Sequence, residues 1–593
     1  MSDADSRRTR AIRERRNLFI LVFCGILLWL VYTLIVSLSA RFSYQPPGVT
    51  RPIIEVFCLF AAAFAIYLMA LRVAIQAGQH RQLLPVIGLF AFSMRLLLLF
   101  SEPIQEVDIY RYMWDGQATM HGVSPFRYSP LQVLNSSAQQ TLAPDLSQLV
   151  TARDSSPANE AILNRVHFAE LSTVYPPVSQ TIFALAALTT PSHSSLSTHL
   201  IVMKSWIVLF DMATIWVLIL ILGFTAKPVG WSLVYAWCPL VLKEFANSGH
   251  LDSIAVCLTT LAVYMMLRAF YSSVDQMAAI KNSKQTSLLW GIAASMILAL
   301  AVGAKLYPII LSPLLILVSV QKLGWSRATM VAFVFLLVSA GVCWPMVSQS
   351  VSEPRLAAEA DRRPLDSQSS MPPIPNTEES INSIDGNAPQ AHGEGLTMFL
   401  SRWKMNDFLF LLVSENLTPL VEVPTSQRPW FIITSENWRQ SIVTQLAALT
   451  SLSQEQVPFA LSRTFTAIVF LILASYFCWR AIRANEVTHF LEGIFLTLAW
   501  FWLLLPTQNP WYWTWAVPFL PFTRNRAWLA LSGLTLMYYL RFWLGYHWPD
   551  PPMPFTNYSG EHFFDFVVTW LEFGPWFVWL AMSWAMKRWW FHK

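Results

Sequence analysis

The chain has 593 residues, of which 55% are hydrophobic and only 13% charged, and this excludes an ordinary soluble domain, whose usage is about one quarter charged. The 27 tryptophans suit amphipathic rings placed at two membrane interfaces. The formal charge of +5 is scattered among apolar runs, which excludes a basic nucleic-acid-binding face.

Residues 1–17 form a basic tail. Asp3-Ala4-Asp5 within it has the spacing that nucleotide-sugar enzymes use for a metal, but no fold surrounds it and the match is read as coincidence. The apolar run from Leu18 to Ala40 is longer than the roughly 7–15 residues of a signal-peptide core, so it is predicted as a retained span. A helix needs about 20 apolar residues to cross the hydrocarbon layer. Further spans are predicted at about 53–75, 83–100, 200–224, 229–246, 251–270, 287–303, 305–320, 328–347, 458–481, 487–506, 511–523, 527–544 and 565–587.

Basic residues near span ends give the orientation. The tail, Lys281, Lys284, Lys322, Arg327, Arg480, Arg483, Arg524, Arg526 and the terminal Lys587, Arg588 and Lys593 are assigned to the inside. Counts from the two ends agree only if the short apolar segment 176–190 does not cross. It is therefore read as a re-entrant or interfacial helix, opened by Pro176-Pro177 in its first turn.

The expected fold is all-α: a polytopic membrane bundle of about 14 spans with outer-face loops and interfacial helices. It divides into the cytoplasmic tail 1–17, a transmembrane core 18–347 with an outer loop at 101–174, an outer loop 348–394, an interfacial outer segment 395–457 and C-terminal transmembrane helices 458–593. The 348–394 stretch is rich in Pro, Ser, Asp and Asn and is expected to be disordered. From Gly395 the chain reads as an amphipathic helix lying on the membrane. The six cysteines lie in or beside apolar runs, so no disulfide framework is expected, and no Cys/His cluster suggests a metal.

Four motifs fall on the same outer side: EVDIYRYMWDG (Glu106–Gly116), NSGHLD (Asn247–Asp252), GAKLYP (Gly303–Pro308) and PTQNPWYW (Pro506–Trp513). Turns between apolar helices need only a few polar residues, so four turns carrying Asp, His, Lys and Trp read as one convergent site. Asp108, walled by Tyr110, Tyr112 and Trp114, is the candidate general base; the plain alternative is a solvated loop acid. Asp115 is either a site residue or a turn or cap aspartate, and Arg111 either binds phosphate or pairs with Asp108 or Asp115. His250 and Asp252, with Lys243 and Glu244 close before them, gather four ionisable groups at one membrane end, where charge is costly and functional by default. Lys305 is a point charge for a lipid phosphate or a snorkelling lysine. Gln508, Asn509, Trp511, Tyr512 and Trp513 line a sugar pocket or form an interfacial aromatic belt. Lys204 and Asp211 are read as a buried structural pair.

No P-loop, no GxGxxG after a strand and no soluble nucleotide domain is present in the sequence, so a sugar donor would be a lipid phosphate rather than a nucleotide. The stretches Asp108–Pro130, Val174–Leu185, Tyr235–Val256, Ala304–Leu315 and Asn509–Phe522 resemble, in order and spacing, the GT-C superfamily of membrane glycosyltransferases. More closely, they resemble its bacterial polyprenyl-phosphate-mannose-dependent branch. The chain departs from that pattern at Cys238-Pro239, where relatives often carry Asn-Pro, and in its long second outer loop. The resemblance implies a hexosyltransferase, most simply a mannosyltransferase of the cell envelope. It would be a multi-pass protein of the cell (inner) membrane with both termini cytoplasmic and an extracytoplasmic site. The transfer would invert configuration, from a polyprenyl-phosphate sugar to a glycan or lipid acceptor, with Asp108 as base. Arg111, His250 and Lys305 would be phosphate-binding residues, a divalent cation is left open, and no nucleic acid is involved. A lipid-linked-sugar transporter or flippase, and a lipid-linked glycan polymerase or ligase, are the alternatives; the absence of an internal repeat speaks against a transporter.

Overall fold

The computed structural model describes residues 3–43, 47–78, 82–271, 284–350 and 404–590. Most of the segment read as disordered, the first part of the interfacial segment, Lys281 and Lys593 lie outside them. Among the described residues the regular structure is helical, with one isolated parallel bridge between Met405 and Thr507.

Nine described helices are long and apolar enough to cross a membrane: Ile12–Phe42, Ile53–Gln76, Leu196–Phe224, Asp252–Phe270, Lys284–Ala304, Trp325–Ser348, Gln456–Ala484, Val487–Leu504 and Gly560–Met586. Shorter apolar helices cover Leu83–Leu98, Pro177–Thr189 and Tyr307–Leu323. The chain is a multi-pass membrane protein. Its outward residues fit lipid rather than water: Phe92, Trp216, Phe333 and Leu471 are exposed on the bundle surface. The Asp252–Phe270 helix packs against Leu196–Phe224 and Lys284–Ala304, which in turn meets Trp325–Ser350. The Pro177–Thr189 helix, where a short segment was expected, packs on Asp108–Met120. Its 13 residues rise only about 20 Å against the ~30 Å hydrocarbon layer.

Several predicted spans are not continuous α-helices: 527–544, which holds no proline, passes through a 3-10 turn at Thr535–Tyr538, and proline explains the break in three others. The 229–246 segment contains a 3-10 turn at Val229–Ser232, short α-helices at Leu233–Ala236 and Pro239–Val241, and a π-helical turn at Leu242–Asn247. Pro239 lacks an N–H and disfavours helix in the residue before it, so the chain opens at Trp237-Cys238. The freed Ala236 carbonyl accepts from Arg95 Nη1 at 2.8 Å. Around Lys305 the long helix stops at Ala304, and Pro308 starts a 3-10 turn, Tyr307–Leu311, before the Ser312–Leu323 helix. The 511–523 segment, with Pro510, Pro518 and Pro521, is a one-turn helix at Pro510–Trp513 followed by a 3-10 turn at Val517–Phe522.

The expected Lys204–Asp211 pair is not formed. Asp211 takes both its hydrogen bonds from Arg95, at 2.6 and 3.2 Å, with both side chains fully buried. Lys204 Nζ instead donates to the Ser101 carbonyl at 2.6 Å, beyond the C-terminal end of Leu83–Leu98, where the helix dipole favours a cation.

Candidate functional site

The broken segments are what bring the four motifs together. Asn247 leaves its own motif to hold the approach to Asp108. Its Oδ1 accepts from the Ile104 N–H at 3.1 Å, and its Nδ2 donates to Ser101 Oγ and the Glu102 carbonyl at 2.7 and 2.9 Å. Asp108 then opens the Asp108–Met120 helix, where the unpaired N–H groups favour a carboxylate.

Helical spacing decides which neighbours Asp108 has. Tyr112, four residues on, donates to Asp108 Oδ2 at 3.5 Å, and Tyr175 donates to the same oxygen at 3.3 Å. Tyr112 and Tyr175 also meet edge to face, 5.0 Å between ring centres. Oδ1 of the half-buried Asp108 takes no hydrogen bond among the described residues. Of the aromatic wall expected from sequence, only Tyr112 touches the carboxylate. Tyr110 accepts from Arg165 at 3.1 Å, and Trp114 is buried in the core. Burial raises the Asp108 pKa; His167, Lys305 and the Tyr175 hydroxyl pull it down, and Asp252 adds a smaller upward push.

Facing Asp108, Lys305 Nζ sits on both oxygens of Asp252, at 2.7 and 2.6 Å. Trp515 Nε1 donates to Asp252 Oδ1 at 2.6 Å. The ammonium also lies 4.3 Å from the Tyr512 ring centre. Tyr307 and Tyr512 each stack on Trp515, with ring centres 4.1 and 4.5 Å away. The result is a cation held by one carboxylate and an aromatic stack, close enough to act on the Asp108 carboxylate. His250 is buried, stacked on Trp511 at 4.3 Å. Burial and the ammoniums of Lys243 and Lys305 hold its ring well below the usual histidine range.

Three expected site residues make hydrogen bonds within the fold. Arg111 donates to the carbonyls of Leu171, His167 and Phe168 at 2.9, 3.2 and 2.7 Å, clamping the end of the 101–174 loop rather than presenting a free guanidinium. Asp115, fully enclosed, accepts from Gln180 Nε2 at 3.0 Å and ties its helix to Pro177–Thr189. Burial raises the Asp115 pKa, opposed by Arg111, Thr173 and Gln180. Gln508 Nε2 donates to the Leu503 carbonyl at 2.8 Å, closing the C-terminal end of Val487–Leu504. The strand-like segment at Met405 is laid across this motif: Met405 N–H donates to Pro506 and Gln508 N–H donates back to Met405.

The site also contains residues that the sequence did not single out for chemistry: Tyr175, Tyr307, Trp515 and Tyr539. Tyr175 and Tyr307 stand next to prolines in quoted motifs, and that adjacency was a usable signal. Tyr539 has no local signature. Among the described residues no group of three or more His, Cys, Asp and Glu is placed to hold a metal ion. Comparisons with protein-family models, with curated proteins and with solved structures find no match for the chain.

Proposed function

We propose that this chain is a membrane glycosyltransferase that moves a hexose, mannose by preference, from a polyprenyl-phosphate donor to a glycan or lipid acceptor. In this reading the bundle has the GT-C-like arrangement, crosses the cell membrane about 14 times with both termini cytoplasmic, and carries its site on the extracytoplasmic side. The observation that supports the reading is the Asp108 carboxylate, shared by two phenols on Oδ2, bare on Oδ1, and opposed by the Lys305–Asp252 pair over an aromatic stack.

The chemistry follows from that pairing. Asp108 Oδ1 takes the proton of the acceptor hydroxyl as its oxygen bonds to the anomeric carbon. The bond from that carbon to the phosphate oxygen breaks, and its electron pair stays with the phosphate. Lys305 stabilises the charge that develops there. Attack opposite the leaving group inverts configuration.

The test is purified protein incubated with radiolabelled polyprenyl-phosphate mannose and membrane extract. Release of free lipid phosphate with a new glycosylated product is expected. Asp108→Asn should keep the folded protein and lower transfer by about 100-fold or more, the usual span for losing a general base. Movement of intact donor across a vesicle without cleavage, or near-normal transfer by Asp108→Asn, would overturn the reading.

A further inference from the structure

The π-helical turn at Leu242–Asn247 is followed by Gly249 with a φ of +72°. A π turn carries one residue more than an α turn and recurs at functional sites. Here it lets the chain double back, so that the His250 N–H donates to the Glu244 carbonyl at 3.0 Å. The side chains follow the backbone: His250 Nε2 lies 3.4 Å from Glu244 Oε2. The other oxygen, Oε1, accepts from the Tyr539 hydroxyl at 2.7 Å, and that hydroxyl accepts from Lys243 Nζ at 2.6 Å. Both residues are buried, and among the described residues Glu244 Oε2 and both ring nitrogens of His250 carry no hydrogen bond, although the Lys243 ammonium lies 3.6 Å from that Glu244 oxygen. Orphaned polar atoms gathered in one enclosed cluster are costly, and their retention calls for a reason beyond packing.

We propose that Glu244 is a positioning residue for His250: it accepts the Nε2 proton and so turns Nδ1 toward the phosphate of the lipid-linked sugar, while Tyr539 and Lys243 hold Glu244 in place. This rests on the glycosyl-transfer reading above. A carboxylate on one imidazole nitrogen fixes the tautomer and makes the ring a better base. Trp511 fixes the ring plane from the other side, stacked within 15° of parallel. With a proton from solvent on Nδ1, the imidazolium lies between two anions, Glu244 and the departing phosphate. It donates a hydrogen bond to the phosphate and keeps its proton, while the electron pair of the breaking bond goes to the phosphate oxygen. Lys243 and Lys305 oppose protonation of the ring, and a phosphate at Nδ1 acts in the opposite direction. Glu106 and Asp252 complete the charged surroundings, facing Lys243 and Glu244 respectively.

The experiment is a double-mutant cycle on the purified full chain, with polyprenyl-phosphate mannose as donor and kcat/KM followed against pH. It is joined to a titration of the His250 ring by nitrogen NMR on histidine-labelled protein, assigned with His250→Asn. His250→Asn is expected to lower kcat/KM about 100-fold. Glu244→Gln is expected to lower it about tenfold near neutrality, as one pH unit of displacement implies, and to move the basic limb to lower pH. In the His250→Asn background Glu244→Gln should cost nothing further. The His250 resonance should titrate at lower pH in Glu244→Gln than in the wild type. If Glu244→Gln does not fold, Glu244→Asp, which withdraws the carboxylate from Nε2, should move the titration in the same direction. A Glu244→Gln loss that is as large without His250 as with it, or an unmoved His250 titration, overturns the positioning role. Should the wild type release no lipid phosphate, the transfer reading fails, and the NMR arm alone decides whether Glu244 governs His250.

Discussion

Asp108 shows how two hydroxyls tune one carboxylate. Both Tyr112 and Tyr175 donate to Oδ2, which leaves Oδ1 as the lobe able to take a proton. The Tyr175 bond stabilises the ionised form and lowers the Asp108 pKa against the rise caused by burial. A general base works only when ionised, so activity is present above its pKa and lost as pH falls through it. Tyr175→Phe removes a force that lowers that pKa, so the acid limb of the kcat/KM profile is expected to move to higher pH. An acid limb that stays put or moves down would show that the limb belongs to another group. This neighbourhood was half legible in the chain. The four-residue helical step made Tyr112 a neighbour of Asp108, while the same step turns Tyr110 and Trp114 away, so the expected aromatic wall was too wide. Tyr175 is 67 residues distant and reaches Asp108 only through the packing of two short helices.

That packing depends on a glycine in the Asp108–Met120 helix. A Cβ at Gly116 would stand 2.4 Å from the Phe183 backbone carbonyl of the Pro177–Thr189 helix, an atom that cannot step aside. Gly116→Ala should therefore push the two helices apart and destabilise the protein by about 1–3 kcal/mol, the usual cost of overpacking. The fall should appear in the thermal midpoint in detergent, together with weakened transfer because Tyr175 retreats from Asp108. An unchanged midpoint would mean that the two helices are not held at this distance. Proline marks the element breaks in the sequence, but a long apolar run by itself predicts a span, as it does at 229–246 and 511–523. What local sequence could not contain is the cross-chain holding of the broken pieces. Asn247 reaches Ile104 across 143 positions and Tyr539 reaches Glu244 across 295, and neither pairing leaves a periodic trace.

At the scale of the whole molecule, parity constrains the topology. Nine long apolar helices among the described residues are an odd number. Both termini can share a side only if an odd number of the shorter or broken segments also cross. The Leu83–Leu98 helix, 16 residues or about 24 Å long, nearly suffices alone, whereas the 13-residue Pro177–Thr189 helix falls short of the ~30 Å layer. The proposed orientation then makes a specific demand. Gln140, exposed in the 101–174 loop, should lie outside, and Glu486, exposed between Gln456–Ala484 and Val487–Leu504, should lie inside. Single substitutions Gln140→Cys and Glu486→Cys, read against the labelling of the six native cysteines, test this with a membrane-impermeant maleimide on intact cells. Gln140→Cys should label at once and Glu486→Cys only after permeabilisation. The reverse pattern would place Asp108 on the cytoplasmic side, where the extracytoplasmic transfer reading fails. Labelling of both from outside would instead require an even number of crossings between the two positions, so that one of the intervening apolar segments changes its status.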